Sequence, residues 1–263
     1  RLNADRVWGR PDGGTLTLLK TFLANGFPVL IEKGAVIRDI NGNMTWMGHY
    51  NVISGYDDSK STFIVQDSYF TPDYLISYSD MEWQWRGFNY IYLVIYPPEK
   101  EDQVMQILGP MADEVTALQT AADYASQEIY SHTGIEQYLA WFNRGTSLMY
   151  LQDYAGAAAA YDQAFAVYPT IPEANRPWRM MWYQTGPYFA YYYTGRYQDV
   201  INLATTTIDT ANKPYLEESF YWRGMAPLAI GDQENAVTDF KTAVEYHAGF
   251  IPAQSQLDAL GIH

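Results

Sequence analysis

The chain has 263 residues, 48% hydrophobic and 17% charged, the profile of a globular protein with room for one large domain or two ordinary ones. Its formal net charge of −14 repels phosphate backbones and anionic headgroups, so nucleic acid is not an expected partner. No apolar run approaches the roughly 18 residues that cross a bilayer, and the N-terminus lacks the order of a secretory signal, so a soluble chain without direct membrane insertion is expected.

The sequence opens at Arg1 rather than at a methionine, which suggests a processed product or part of a longer polypeptide. It has no cysteine, so disulfides and thiolate zinc sites are out of reach and the redox compartment is left unconstrained. The 24 Tyr and 8 Trp can stiffen helix interfaces or line a groove.

In chain order, Thr15 to Asn25 has apolar residues at helical spacing and stops at Gly26, so one short helix is expected there. Phe27 to Glu32 reads as a buried strand, and His49 to Tyr56 and Thr62 to Gln66 as two more that form a hairpin. Asp80 to Arg86 reads as a helical turn, and Tyr90 to Tyr96 as a central strand rich in β-branched and aromatic residues. Pro97-Pro98 marks a sharp boundary, after which the acidic run to Asp102 reads as a solvated linker and helix start.

Beyond Asp102 the pattern is helical and repetitive. Trp141, Arg144, Gly145 and Leu148 are followed by Ala157, Tyr161, Ala164 and Pro169. A second copy starts at Trp182, Thr185, Gly186 and Phe189 and resumes at Gly195 to Tyr197, Val200 and Ala204. The third runs through Phe220, Arg223, Gly224 and Pro227, then Gly231-Asp232, Ala236, Phe240 and Ala243. Small residues where two helices touch and large ones where they interlock resemble the tetratricopeptide repeat, with links longer than its plain period of roughly 34 residues. Leu257 to Leu260 is expected in a final helix that covers the end of the stack.

The most specific stretch is Met47-Gly48-His49-Tyr50-Asn51-Val52-Ile53-Ser54-Gly55-Tyr56-Asp57-Asp58, followed by Ile64-Val65-Gln66-Asp67-Ser68. A hairpin turn centred on Asp58 would set His49 directly opposite Asp67, with Cβ atoms about 4.5–5.5 Å apart. A carboxylate that accepts from one ring nitrogen fixes the tautomer and leaves the other nitrogen free as a base. Without a catalytic task the same residues would be an ordinary cross-strand pair. His132, His247 and His263 lack such company and are assigned to solvent-facing helix or terminal positions. Asp57, Asp58 and Asp67 are too few and too turn-like for a calcium loop, so no metal and no cofactor is expected.

Gly-His-Tyr, Gly-Tyr-Asp-Asp and Gln-Asp-Ser, preceded by Gly26-Phe27-Pro28-Val29-Leu30-Ile31, resemble the bacteriocin-leader-processing peptidases, a family of papain-like cysteine peptidases. The resemblance covers about Gly14 to Pro97. It implies His49 as the base and Asp67 as the residue that orients it. It also implies a nucleophilic cysteine, with a glutamine just before it, on a helix upstream of the matching segment. No cysteine precedes His49 here, so the chain as given is expected to be inactive, and truncation is the preferred explanation. Thr15 and Thr17 read as helix-cap residues rather than substitute nucleophiles.

The expected fold class is α+β. A partial papain-like sheet domain occupies residues 1–98, and an all-α tetratricopeptide helix-pair array occupies residues 99–263. The expected function is the C-terminal part of a cysteine peptidase whose repeat groove binds a polypeptide substrate or a protein partner. The alternative is a non-catalytic scaffold with a degenerate peptidase-like domain. Trp182, Tyr188, Tyr191, Tyr192 and Trp222 are candidate groove aromatics, with helix packing as the plainer explanation for all five. Few lysines, abundant Tyr and Trp, and the peptidase resemblance lean towards an extracytoplasmic location.

Overall fold

The computed structural model of the chain describes residues 6–7, 13–39, 42, 44–211 and 213–262. His263 therefore lies outside the described residues. The chain forms two compact units, one of residues 1–153 with 159–178 and one of residues 154–158 with 179–263.

The first unit is built on an all-antiparallel sheet of six strands. They are β1 (Arg6–Val7), β2 (Val29–Arg38), β3 (Met44–Asp57), β4 (Thr62–Gln66), β5 (Tyr74–Ser77) and β6 (Tyr92–Tyr96), in the order β1-β6-β2-β3-β4-β5. Two helices, α1 (Leu16–Ala24) and α2 (Tyr78–Trp85), flank these strands in the chain. α1 starts where expected because the Thr15 hydroxyl accepts from the Leu18 amide at 3.2 Å. It ends where Gly26 takes a left-handed φ of +81°. Leu19 and Phe22 of α1 join Val29, Ile31, Ile53, Phe63 and Val65 in one apolar core.

Two strands are longer than the sequence suggests. β2 continues past Glu32 through Lys33 and Gly34, both of which look like strand breakers and are not. Lys33 is buried against a carboxylate, and Gly34 leaves room for the Trp46 ring, which a Cβ there would meet at 2.3 Å. Strand β5 was not expected. β6 begins two residues later than its composition implies, because Asn89 and Tyr90 take φ values of 52° and 54°, a left-handed conformation no strand accommodates.

The helices after Pro97 are α3 (Glu101–Leu108), α4 (Glu114–Ser131), α5 (Gly134–Tyr150), α6 (Tyr154–Val167), α7 (Met180–Tyr183), α8 (Gly186–Tyr193), α9 (Tyr197–Asp209), α10 (Glu217–Ala229), α11 (Gln233–Tyr246) and α12 (Ile251–Ala259). α4 packs on α5 within the first unit, and α8 to α12 pack in sequence within the second. The repeat pattern has a visible cause. A Cβ on Gly145 would lie 2.7 Å from the Tyr161 ring, and one on Gly224 would lie 2.8 Å from the Phe240 ring. In both copies glycine lets an aromatic ring approach the facing helix.

The first half of the second copy is not one helix. Its residues fall into α7 and α8, separated at Gln184-Thr185, with Pro187 in the first turn of α8. α12 contributes Ala253 and Leu257 to the core of Phe220, Ala236, Phe240 and Ala243, covering that end of the stack. No helix of the described residues is long and apolar enough to cross a membrane.

Candidate active site

Along β2 and β3 the core-facing strip changes character. Val29, Ile31 and Ile53 are apolar and buried, and the strip then continues as Lys33, Asn51 and His49. Successive residues of a strand alternate faces, so His49, Asn51 and Ile53 share one face while Tyr50 takes the other. Lys33 stands directly opposite His49 in the ladder. Asp67 follows the last residue of β4 and completes the polar group.

The Asp67 carboxylate is surrounded by donors. Its Oδ1 lies 2.9 Å from His49 Nε2 and accepts the Tyr69 and Phe70 amides at 2.8 and 3.1 Å. Its Oδ2 accepts Asn51 Nδ2 at 2.7 Å and lies 3.5 Å from Lys33 Nζ. Asp67 is 4% exposed, Asn51 1% and Lys33 2%. Burial pushes the Asp67 carboxyl up, but the bonds from Asn51, His49, Tyr69 and Phe70 outweigh it and hold the group at about 2. Lys33 is also held below its ordinary value, since burial lowers its ammonium more than the Asp67 charge and hydrogen bond raise it.

An ionised carboxylate only accepts, so the proton in the His49–Asp67 bond belongs to Nε2. In the neutral ring Nδ1 then carries the lone pair, and among the described residues it has no hydrogen-bond partner. The His49 side chain is 19% exposed.

The expected register is corrected. His49 is not directly opposite Asp67. The last paired residues are Val52 and Gln66, so the next pair would be Asn51 and Asp67, and His49 reaches the carboxylate from the diagonal position. The hairpin turn closes on Asp57 and Thr62, later than Asp58-centred counting assumes, and a bulge at Ser54 recovers one residue of that difference. Asp57 and Asp58 serve the turn: Asp57 accepts from Ser59, and Asp58 binds Lys20 Nζ at 2.6 Å and the Tyr78 hydroxyl at 2.8 Å.

Sequence reasoning missed Lys33 and Asn51. The signal for Lys33 was a single charge on the strand face shared by Val29, Ile31, Ala35 and Ile37. Asn51, two residues from His49, necessarily shares its face.

The other histidines behave differently from one another. His132 ends α4, with Nε2 3.4 Å from the Arg86 guanidinium and 3.8 Å from Glu128, so it belongs to a partly buried charged cluster. His247 ends α11, is half exposed and pairs with Glu217 at 2.9 Å. Of the candidate groove aromatics, Tyr188, Tyr191 and Trp222 are buried within the helix stack. Trp182 is the one that lines an open cavity of about 260 Å³, together with Tyr183, Tyr215, Glu217 and Glu218.

An imidazole with one nitrogen tied to a carboxylate has the same arrangement as the base and orienting residue of a nucleophile triad. Residues 6–92 match the model of the Peptidase_C39 like family, and residues 138–171 match that of the tetratricopeptide repeat. The chain thus carries a Peptidase_C39-like domain followed by a repeat of the kind associated with protein interaction. The comparisons with curated proteins and with solved structures gave no match.

Proposed function

We propose that this chain supplies the base half of a papain-like cysteine peptidase, with His49 as the base and Asp67 as the residue that orients it. The observation that carries this reading is the 2.9 Å bond from His49 Nε2 to a buried, ionised Asp67, which leaves Nδ1 available. The nucleophile is a cysteine thiol from residues outside this sequence. Nδ1 takes the thiol proton and the thiolate attacks a peptide carbonyl. The imidazolium returns the proton to the leaving amine, and water, deprotonated by the same nitrogen, releases the acyl group and restores the thiol.

In this reading residues 1–98 form the peptidase part and residues 99–263 the helical array, which holds a polypeptide substrate or partner. The test is peptide hydrolysis by the cysteine-containing polypeptide that includes this chain, compared with its His49→Ala variant. Loss of the base should lower the rate about 100-fold or more. Equal rates, or no cleavage of any peptide by the parent polypeptide, would remove the peptidase reading.

A second reading is favoured by one observation, the absence of cysteine from all 263 residues. Here the peptidase-like domain is a docking module, the repeat array binds a protein, and the His49–Asp67 pair only braces the sheet.

A further inference from the structure

The open cavity of about 260 Å³ in the second unit lies where the repeat pattern is interrupted twice. One side is the end of α7 and the break after it, through Trp182, Tyr183 and Thr185. The other is the link after Pro214 and the first turn of α10, through Tyr215, Glu217 and Glu218. The space is smaller than the roughly 300–1,000 Å³ of sites for drug-sized ligands, and it suits one long side chain.

Acids in the first turn of a helix are ordinary, because they complement its dipole. Here they also border three aromatic rings, and one oxygen of each is already tied. The Thr185 hydroxyl donates to Glu218 Oε2 at 2.7 Å, and His247 Nδ1 lies 2.9 Å from Glu217 Oε1. Among the described residues, Glu217 Oε2 and Glu218 Oε1 have no hydrogen-bond partner, and no lysine or arginine lines the cavity. The Trp182 ring is oriented by its Nε1, which donates to Thr210 Oγ1 at 3.1 Å. Basic groups outside the cavity touch two of its residues: His247 at Glu217, and Arg179, whose guanidinium lies 5.2 Å from the Trp182 ring centre.

We propose that this cavity binds an arginine side chain of a polypeptide held by the helical array. A guanidinium is flat and carries five donors, so it stacks on an aromatic face while donating to the two carboxylate oxygens left open. Arg179 on Trp182 is the same pairing of guanidinium and ring within the chain. An anionic ligand would meet two negative charges, and an apolar one would take water from both carboxylates and give nothing back. A metal ion is poorly served, since the described residues hold no group of three or more His, Cys, Asp or Glu suited to one. The inference rests on the reading of the array as a polypeptide-binding part, and it names the side chain that this part selects.

The test is an NMR titration of the 263-residue chain with N-acetyl-arginine amide, followed at the Trp182 indole N–H. N-acetyl-citrulline amide, nearly the same shape without the charge, is the control. The arginine probe should give a saturable shift and the citrulline probe none over the same range. Glu217→Gln and Glu218→Gln should each weaken arginine binding about tenfold, and Tyr215→Ala, at an exposed position, should weaken it several-fold. Equal shifts from the two probes, or glutamine variants that bind arginine as the unsubstituted chain does, would overturn the proposal. The comparison of probes on the unsubstituted chain needs no variant to fold.

A capped pentapeptide with arginine between two glycines on each side separates the cavity from the reading beneath it. It should bind at least as tightly as the single residue. If it does not bind while the single residue does, the polypeptide reading fails and the cavity remains a site for small guanidinium compounds. If neither binds, the cavity claim itself is overturned.

Discussion

Lys33 and His49 are directly opposed across the β2–β3 ladder and turn to the same Asp67 carboxylate from the two strands. Three strands are therefore joined at one buried anion, which makes Asp67 a structural keystone as well as an orienting group. Removing it strips the partner from a buried ammonium, and breaking a buried pair by deleting one side costs about 3–5 kcal/mol. Asp67→Ala should lose stability on that scale in chemical denaturation, while Lys33→Met, which leaves Asp67 four other donors, should lose less. The opposite order would mean that Lys33 and not Asp67 anchors the group.

The same carboxylate gives the fold an acid limit. Its folded value of about 2 lies below the ordinary carboxylate value of 3.8, so its stabilisation is fully present above the unfolded value and is lost as pH falls through the folded one. A melting series should show stability falling between roughly pH 4 and pH 2. The fall should be smaller in Asp67→Asn, which has no proton to bind there; identical acid profiles would assign the transition to other carboxylates.

The repeat helices owe their close approach to Gly145 and Gly224. A methyl placed on either would meet an aromatic ring well inside contact distance. Gly145→Ala and Gly224→Ala should each cost about 1–3 kcal/mol by overpacking, less whatever helix propensity returns. Calorimetry that finds both variants neutral would show the helices free to separate.

A second buried charge cluster ties α4 to the sheet unit. Glu128 Oε1 accepts Arg86 Nε at 2.8 Å and the Tyr90 hydroxyl at 2.7 Å, and Tyr90 holds its left-handed backbone beside it. Burial pushes the Tyr90 hydroxyl far up, with the Glu128 charge adding to it. Glu128→Ala should therefore destabilise by about 3–5 kcal/mol and loosen the entry to β6. Hydrogen exchange at the β6 amides reports this directly, and unchanged protection there would contradict it.

Much of this architecture was legible because its signals were local. The Thr15 cap, the Gly26 stop and the small and large positions of the repeat each act within a few residues of where they are read. What escaped was decided at a distance. Lys33 looks like the end of a strand until Asp67 supplies its partner, and Gly34 until Trp46 fills its space. The hairpin turn closes on Asp57 and Thr62, past an Asp58 centre, and the bulge at Ser54 recovers only one residue of that shift, so His49 and Asp67 meet by a diagonal contact rather than by direct opposition. Pro187 stands in the first turn of α8 whereas Pro227 lies inside α10 without ending it, so proline alone did not announce the break between α7 and α8.

The central claim is that His49 is a base held by Asp67, and the nitrogen chemical shifts of its imidazole test it most directly. For the neutral ring the account predicts protonation at Nε2, with that proton hydrogen-bonded to Asp67 and Nδ1 bare. A neutral ring protonated at Nδ1 would contradict it.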